Sequence, residues 1–251
     1  MSGSLRIVGL GPGPLHWVTP EVSEELACAG DIVGYHAYVS RLELRADQKV
    51  HGSDNGDELA RARLALELAA GGARVALVSG GDPGVFAMAA AVFEVIEAGP
   101  PSFRTLDVAV APGVTAMLAA AARLGAPLGS DFCAINLSDN LKPRELIEKR
   151  LTLAARADFV IAIYNPASRA RPALIHDAFA ILRRERPADT IVAFASAVGR
   201  PDETIRIARL ADADPALCDM RTLLIVGASG TRCIERPDGR CWVYSQRRAF
   251  A

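Results

Sequence analysis

A chain of 251 residues can bury a large core and forms one large domain or two small ones. Hydrophobic residues make up 51% of it and charged residues 23%, a composition that excludes an intrinsically disordered protein. The net charge of -1 gives no global field that would attract nucleic acid or an anionic membrane, so we expect neither as a partner.

The sequence contains no sign of export or of a metal centre. No apolar stretch reaches the roughly 20 residues that cross a bilayer, and the N-terminus lacks the pattern of a signal peptide. We therefore expect a cytoplasmic protein. The five cysteines are scattered without a CxxC pair, which favours small buried thiols over disulfides or a zinc site, and we expect no metal.

The first half of the chain alternates short apolar runs with longer segments of helical periodicity. Thr19 is placed to cap the first helix, and Pro20 to occupy its first turn. Such alternation is typical of βαβ units, so we expect an α/β fold with a mainly parallel sheet. In chain order, the predicted elements are a strand at 5–10, a helix at 21–29, a strand at 31–35, a helix at 57–70, a strand at 74–78, a helix at 85–97, a strand at 106–110 and a helix at 114–124.

The character of the sequence changes at residues 124–130, where turn residues accumulate. We place a domain boundary there, giving domains 1–126 and 127–251. Each is too small to enclose a bulky ligand alone, so the predicted site is the cleft between two α/β domains. The second domain is predicted to contain a strand at 132–137, a helix beginning near Pro143, a strand at 159–164, a helix at 173–184, strands at 190–195 and 203–207, a helix at 210–217 and a strand at 222–226.

Four predicted strands end in segments rich in glycine, proline and small polar residues. Parallel α/β sheets bind ligands at the carboxyl ends of their strands, and glycine lets a ligand approach the bare main chain. These segments therefore predict a ligand site. They are residues 9–13, 79–84, 111–116 and 226–230.

A dinucleotide is a weak candidate for that ligand. Pro14 stands where the third glycine of a GxGxxG fingerprint belongs, and the chain has no GxxxxGK[ST] motif. An oxidoreductase with a nucleotide cofactor, or a non-catalytic nucleotide sensor, remains an alternative from a different functional class.

Three motifs resemble those of the tetrapyrrole (corrin and porphyrin) methyltransferase family and follow one another in the same order: VGLGPGPLHWVTP, SGGDPGVF and APGVTA. The likeness extends over residues 7–229. Four further stretches look like its precorrin-3B C17-methyltransferase branch: HGSDNGDELARARLALELA (51–69), INLSDNLKPRELIEKRL (135–151), IYNPASRARP (163–172) and ASAVGRPDETI (195–205).

The resemblance implies that S-adenosylmethionine binds in a folded conformation between the two domains. A methionine that a relative places near this molecule would fall at Tyr164. Asp82 has a second interpretation, as the cap of a helix that starts at Pro83. The cofactor residues that the resemblance implies are Pro12, Gly80, Gly81, Asp82, Val85, Phe86, Thr115, Ala116, Tyr164, Asn165, Ala197 and Ala228.

The same resemblance implies methylation of C17 of precorrin-3B with ring contraction to precorrin-4, in cobalamin biosynthesis, by a homodimer. Cobalt-factor III, the substrate of the anaerobic pathway, remains the alternative. The substrate's carboxylates require a basic lining, for which arginine is better suited than lysine. Arg171 and Arg200 are the favoured lining residues, and ordinary solvated surface charges are the alternative reading of both.

Ring contraction moves protons and so requires a general acid or base. Asn165 and Glu203 belong to the wider set of candidates, from which Asp139, His16 and Ser138 are selected. The alternative readings are an exposed loop histidine for His16 and a helix-capping segment for the other two.

Overall fold

The computed structural model describes residues 3–54, 56–167 and 173–248. The chain divides into two compact units, Met1–Thr115 and Ala116–Ala251, called the first and second units below.

The first unit is a five-stranded parallel sheet flanked by helices. Its strands follow the order β3-β2-β4-β1-β5. The carboxyl ends of all five strands therefore lie at one edge. The strands are β1 (Ser4–Gly9), β2 (Asp31–Tyr35), β3 (Lys49–Ser53), β4 (Arg74–Ser79) and β5 (Asp107–Ala111), and the helices are α1 (Pro20–Cys28), α2 (His36–Val39), α3 (Glu58–Ala70) and α4 (Met88–Ala98).

Side chains of β1 show how the sheet is covered on both faces. Leu5 and Ile7 pack into one hydrophobic cluster with α3 and α4, whereas Val8 packs into a second cluster that includes Val22 of α1. A strand that is apolar on both sides is expected in a parallel sheet covered by helices on each face. The predicted start of α1 is confirmed, because the Thr19 hydroxyl accepts a hydrogen bond from the Val22 amide at 3.2 Å.

The second unit contains a five-stranded mixed sheet with the order β10-β9-β11-β8-β7, and a small sheet with the order β12-β13-β6. Its core includes a stacked pair, Phe179 and Phe194, with 6.1 Å between the ring centroids. The strands are β6 (Gly125–Ala126), β7 (Phe132–Asn136), β8 (Val160–Tyr164), β9 (Ile191–Ser196), β10 (Thr204–Arg209), β11 (Thr222–Val226), β12 (Thr231–Glu235) and β13 (Cys241–Ser245), and the helices are α5 (Ala116–Leu124), α6 (Arg144–Arg156) and α7 (Ala173–Glu185).

The prediction of a mainly parallel sheet holds for the first unit and is wrong for the second. In the described five-stranded sheet of that unit only β7 and β8 pair in parallel, because β11 inserts between β8 and β9 and runs antiparallel to both. The predicted helix at 210–217 is also wrong. Those residues form turns and one 3₁₀ turn, Pro215–Leu217, because Pro215 lacks an amide donor and the Asp214 carboxylate takes the Ala216 amide.

The division between the units also differs from the predicted one. The sequence places the boundary after residue 126, whereas the contacts place it after Thr115. The reason is that α5 packs against β6, β11 and β13 of the second unit. Across the part of the chain that the structure describes, no helix combines the length and hydropathy that a bilayer crossing needs.

All five cysteines are free thiols. The expectation that they are buried is wrong for Cys28 and Cys233, which are exposed. Burial raises the pKa of Cys218 to about 12, so this thiol stays protonated at neutral pH.

Candidate active site

Three glycine-rich loops meet at the carboxyl edge of the first unit's sheet. The first loop (residues 10–14) follows β1, the second loop (80–87) follows β4 and the third loop (112–115) follows β5. Because these strands are neighbours, the first and second loops pair directly. The Leu10 amide donates to the Ser79 carbonyl at 2.9 Å, and the Gly11 amide donates to the Gly81 carbonyl at 3.1 Å.

Glycine serves two different purposes in these loops. At Gly113 it permits close packing of main chain, because a Cβ there would lie 2.3 Å from the Gly81 carbonyl oxygen. Gly81 has a left-handed backbone, with φ of +65°, and a Cβ there would come no nearer than 3.8 Å to Cα of Thr115. Glycine is therefore required at Gly81 by its left-handed backbone and not by close packing.

The Asp82 carboxylate joins the second loop to the third. One oxygen accepts the Gly84 amide at 2.8 Å, and the other accepts the Gly113 amide at 3.1 Å. The helix-cap interpretation of Asp82 is wrong, because α4 begins only at Met88. Asp82 fixes the relative position of two loops instead.

Three of the predicted cofactor residues have left-handed backbones although they are not glycine. They are Phe86 (φ 52°), Asn165 (φ 50°) and Ala197 (φ 51°). This conformation costs about 1–3 kcal/mol for a residue with a side chain and is concentrated at functional sites. Phe86 also presents an exposed ring, and Val85 beside it is half-buried.

In the second unit, β7, β8 and β9 end at one edge of the sheet, and Asn136 organises the chain there. Its side-chain oxygen accepts the Ser138 amide at 2.8 Å and the Asn165 side-chain amide at 3.1 Å. Ser138 and Asp139 are thereby brought to the end of β8, beside Asn165. Asn136 was not among the predicted site residues.

Tyr164, the last residue of β8, contacts the first turn of α5. Its hydroxyl oxygen accepts the Met117 amide at 3.0 Å, which satisfies a helix N-terminal donor. Tyr164 is therefore brought close to Ala116, which precedes Met117. Thr115 is buried at the end of the third loop.

Ala228 is not brought to the edge that holds Asn165 and Ala197. It follows β11, whose antiparallel direction carries the chain to the opposite edge of the sheet. There Ala228 is buried and its amide donates to the Thr231 hydroxyl at 2.8 Å. This placement could not be predicted, because strand direction cannot be deduced from an apolar run.

The remaining predicted residues lie in turns. Arg200 is exposed in the β9–β10 turn, where its amide donates to the Ala197 carbonyl at 2.9 Å. Pro12 is half-buried in the first loop. His16 is exposed in a 3₁₀ turn, with its ring edge-on to Trp17 at 6.2 Å. Arg171 lies outside the described residues.

The Arg41 guanidinium is a second feature that the predicted set lacks. It donates to carbonyl oxygens of the first loop, about thirty positions earlier in the chain. A long-range contact with main chain leaves no mark in a sequence. Within residues 3–54, 56–167 and 173–248, no three His, Cys, Asp or Glu side chains are grouped so as to hold a metal ion.

The model of the family Tetrapyrrole (Corrin/Porphyrin) Methylases matches residues 4–214 of the chain. The chain belongs to the tetrapyrrole methylase family. Members of this family are S-adenosylmethionine-dependent methyltransferases, and so is this chain. The family membership confirms the resemblance found in the sequence and removes the basis for a nucleotide-dependent oxidoreductase or a nucleotide sensor.

Individual relatives cover nearly the whole of this tetrapyrrole methylase. It is 53% identical over 247 residues to the precorrin-3B C(17)-methyltransferase of Sinorhizobium sp, covering 98% of this chain and 97% of that one. It is 41% identical over 230 residues to the probable cobalt-factor III C(17)-methyltransferase of Salmonella typhimurium, covering 90% and 93%. The crystal structure of the methyltransferase CobJ superposes with a TM-score of 0.93 at 52% identity, covering 98% and 100%, which confirms the α/β fold.

Proposed function

We propose that this methyltransferase transfers a methyl group from S-adenosylmethionine to C17 of precorrin-3B, with contraction of the ring to precorrin-4, in cobalamin biosynthesis. The observation that carries the proposal is the 53% identity, over 98% of the chain, to a precorrin-3B C(17)-methyltransferase. We further propose that the enzyme acts in the cytoplasm as a homodimer and needs no metal ion of its own.

The three loops of the first unit hold the methyl donor in this proposal. The ligand meets main-chain groups of Gly80 and Gly81, the latter without a closely packed neighbour over its Cα, and Asp82 keeps the second loop in place against the third. The exposed ring of Phe86 offers an apolar face on which an adenine can pack. Pro12, Val85 and Thr115 belong to the same loops, and Ala116, which follows Thr115 as the first residue of α5, is also assigned to the cofactor.

S-adenosylmethionine carries its methyl group on a positively charged sulfur. A carbon nucleophile attacks the methyl carbon in line and displaces the sulfur. The protein's contribution to such a step is alignment, since holding two reactants in the reacting geometry removes much of the entropic barrier. Hydrogen bonds from Gly11 to Gly81 and from Gly113 to Asp82 suit this alignment, because they fix the positions of the three loops relative to one another.

The second unit supplies the substrate contacts and the proton transfer. Arg200 is exposed and able to pair with an acetate or propionate carboxylate, and we assign the same role to Arg171. We assign proton transfer during contraction to Asp139, which follows Ser138 in the turn that Asn136 holds near Asn165. Tyr164, Asn165 and Ala197 are assigned to the cofactor. Ala228 is left out of the set, because it lies at the opposite edge.

Cobalt-factor III is the second candidate substrate, supported by the relative that is 41% identical. The two are separated by incubating the purified enzyme with each tetrapyrrole and S-adenosylmethionine and following product mass and absorption. We expect methylated, contracted product from precorrin-3B at the higher kcat/KM. Exclusive turnover of cobalt-factor III, or turnover of neither while the demethylated donor still binds, would contradict the proposal.

A further inference from the structure

Three main-chain carbonyls of the first loop converge on the guanidinium of Arg41. Its Nη2 donates to the Gly13 oxygen at 2.6 Å and to the Leu10 oxygen at 3.4 Å, and its Nη1 donates to the Gly11 oxygen at 3.3 Å. Arg41 itself is half-buried. Carbonyl oxygens carry partial negative charge, so three of them close together repel one another unless a cation lies between them.

We propose that Arg41 is a positioning residue for the methyl donor. The inference rests on the proposed role of the loops in binding S-adenosylmethionine. Arg41 holds the first loop in the shape that presents the Gly11 amide to the Gly81 carbonyl, so its effect passes into the second loop. Hydrogen bonds from a charged donor are stronger than neutral ones, and the planar fork of arginine reaches several acceptors at once.

The turn that carries Arg41 also braces the second loop. The Arg41 amide donates to the Tyr38 carbonyl at 3.1 Å. The Tyr38 ring packs over Gly80 so closely that a Cβ on Gly80 would lie 2.6 Å from Cζ. One short segment after β2 therefore supports two of the three loops from behind, and the position of Arg41 depends on the same turn.

Without the guanidinium, the three carbonyls must turn toward water or share another cation. Either change moves Gly11 and breaks the pairing of the first loop with the second. A lysine places a single compact charge there and cannot match three acceptors as a fork does. We therefore expect donor affinity to fall in the order wild type, Arg41→Lys, Arg41→Ala.

The test is titration calorimetry with S-adenosylhomocysteine on wild type, Arg41→Lys, Arg41→Ala and a control, Arg45→Ala. Arg45 belongs to the same segment and donates to the Ala27 carbonyl, away from the loops. We expect about a tenfold loss of affinity in Arg41→Ala, a smaller loss in Arg41→Lys and no change in the control. Guanidinium ion at non-denaturing concentration restores part of the loss in Arg41→Ala only.

Kinetics separate positioning from general damage. The KM for S-adenosylmethionine rises in the Arg41 variants, whereas the KM for the tetrapyrrole does not. Unchanged S-adenosylhomocysteine affinity in Arg41→Ala would overturn the inference, and if that variant does not fold, unchanged affinity in Arg41→Lys does so. Wild type that binds S-adenosylhomocysteine but leaves precorrin-3B unmethylated refutes the proposed function alone, and the titration still decides the role of Arg41.

Discussion

The carboxylate of Asp82 accepts a hydrogen bond from the main-chain amide of Gly113, with 3.1 Å between Oδ2 and the nitrogen. The two residues belong to different loops, and the same carboxylate also holds the Gly84 amide. Asp82 thus fixes two neighbouring loops at the edge of a parallel sheet, the place where such sheets bind their ligands.

Asp82→Ala is expected to leave two main-chain donors without their acceptor, which costs about 1–3 kcal/mol of loop stability. We expect weaker binding of S-adenosylhomocysteine, and a smaller loss in Asp82→Asn, which retains one acceptor. Titration calorimetry measures both. Asp47→Ala, a charge removal at an exposed position outside the loops, is the control. Equal affinity in Asp82→Ala and the control would show that the carboxylate does not hold the site.

Gly80 and Tyr38 are expected to be coupled. Gly80→Ala places a methyl group against the Tyr38 ring and displaces it, whereas Tyr38→Ala opens the space that the methyl group needs. The double variant should therefore bind S-adenosylhomocysteine better than the sum of the single effects implies, with a coupling of about 1 kcal/mol. Dissociation constants of the four proteins complete the cycle, and strict additivity would rule out the contact as the cause.

The backbone conformation of Asn165 is expected to affect stability, and its side chain is expected to affect both stability and turnover. Asn165→Ala loses the bond to Asn136 and places alanine in a left-handed conformation, so we expect a stability loss of about 2 kcal/mol. Asn165→Gly tolerates the backbone and should lose less stability while still losing turnover, because the Asn136 side chain, which also holds the Ser138 amide, loses its bond to Asn165. Chemical denaturation and kcat measure the two effects, and wild-type turnover in Asn165→Gly would exclude a role for the side chain.

Asp139 is expected to affect the contraction step more than His16 does. Asp139→Asn should accumulate a C17-methylated, uncontracted product, because the proton transfer lacks its carboxylate. His16→Ala, in an exposed turn, and Ser138→Ala serve as comparisons. Product analysis by mass and absorption separates the two species. Wild-type product and rate in Asp139→Asn would exclude the carboxylate from the chemistry.

Protonation of Glu185 is expected to lower the stability of the folded protein in acid. Hydrogen bonds from Arg156 and then Arg184 lower the pKa of this carboxyl from 4.5 to about 2. A lowered folded-state pKa stabilises the protein above pH 4.5, and this contribution is lost as the pH falls from 4.5 toward 2. Glu185→Gln should therefore lower the thermal midpoint at pH 7 and differ little from wild type near pH 2, with Glu97→Gln as the matched control. A constant difference across that range would contradict the linkage.

Local chemistry made part of the fold predictable. Thr19 and Pro20 mark the start of α1, because capping depends on residues within one turn. Strand β3 was missed, since Lys49–Ser53 is an exposed edge strand with a single large apolar residue. The direction of β11, and with it the placement of Ala228, depends on a pairing between distant strands that no local pattern records.

In the candidate site, too, residues in a local motif could be predicted and contacts between distant residues could not. Gly81, Asp82 and Phe86 stand in one continuous motif, from which they are predicted as site residues, whereas the bond from Asp82 to Gly113 is visible only in the structure. Arg41 bonds main chain about thirty positions away, and Asn136 bonds the distant side chain of Asn165, so neither role can be deduced from a local pattern.

The most direct test of the account is a crystal structure of the enzyme grown with S-adenosylhomocysteine. We predict that the ligand contacts the main chain at Gly80 and Gly81 and packs on Phe86. Ligand bound elsewhere, with the bend from Gly80 to Phe86 left empty, would contradict the claim that these loops hold the methyl donor.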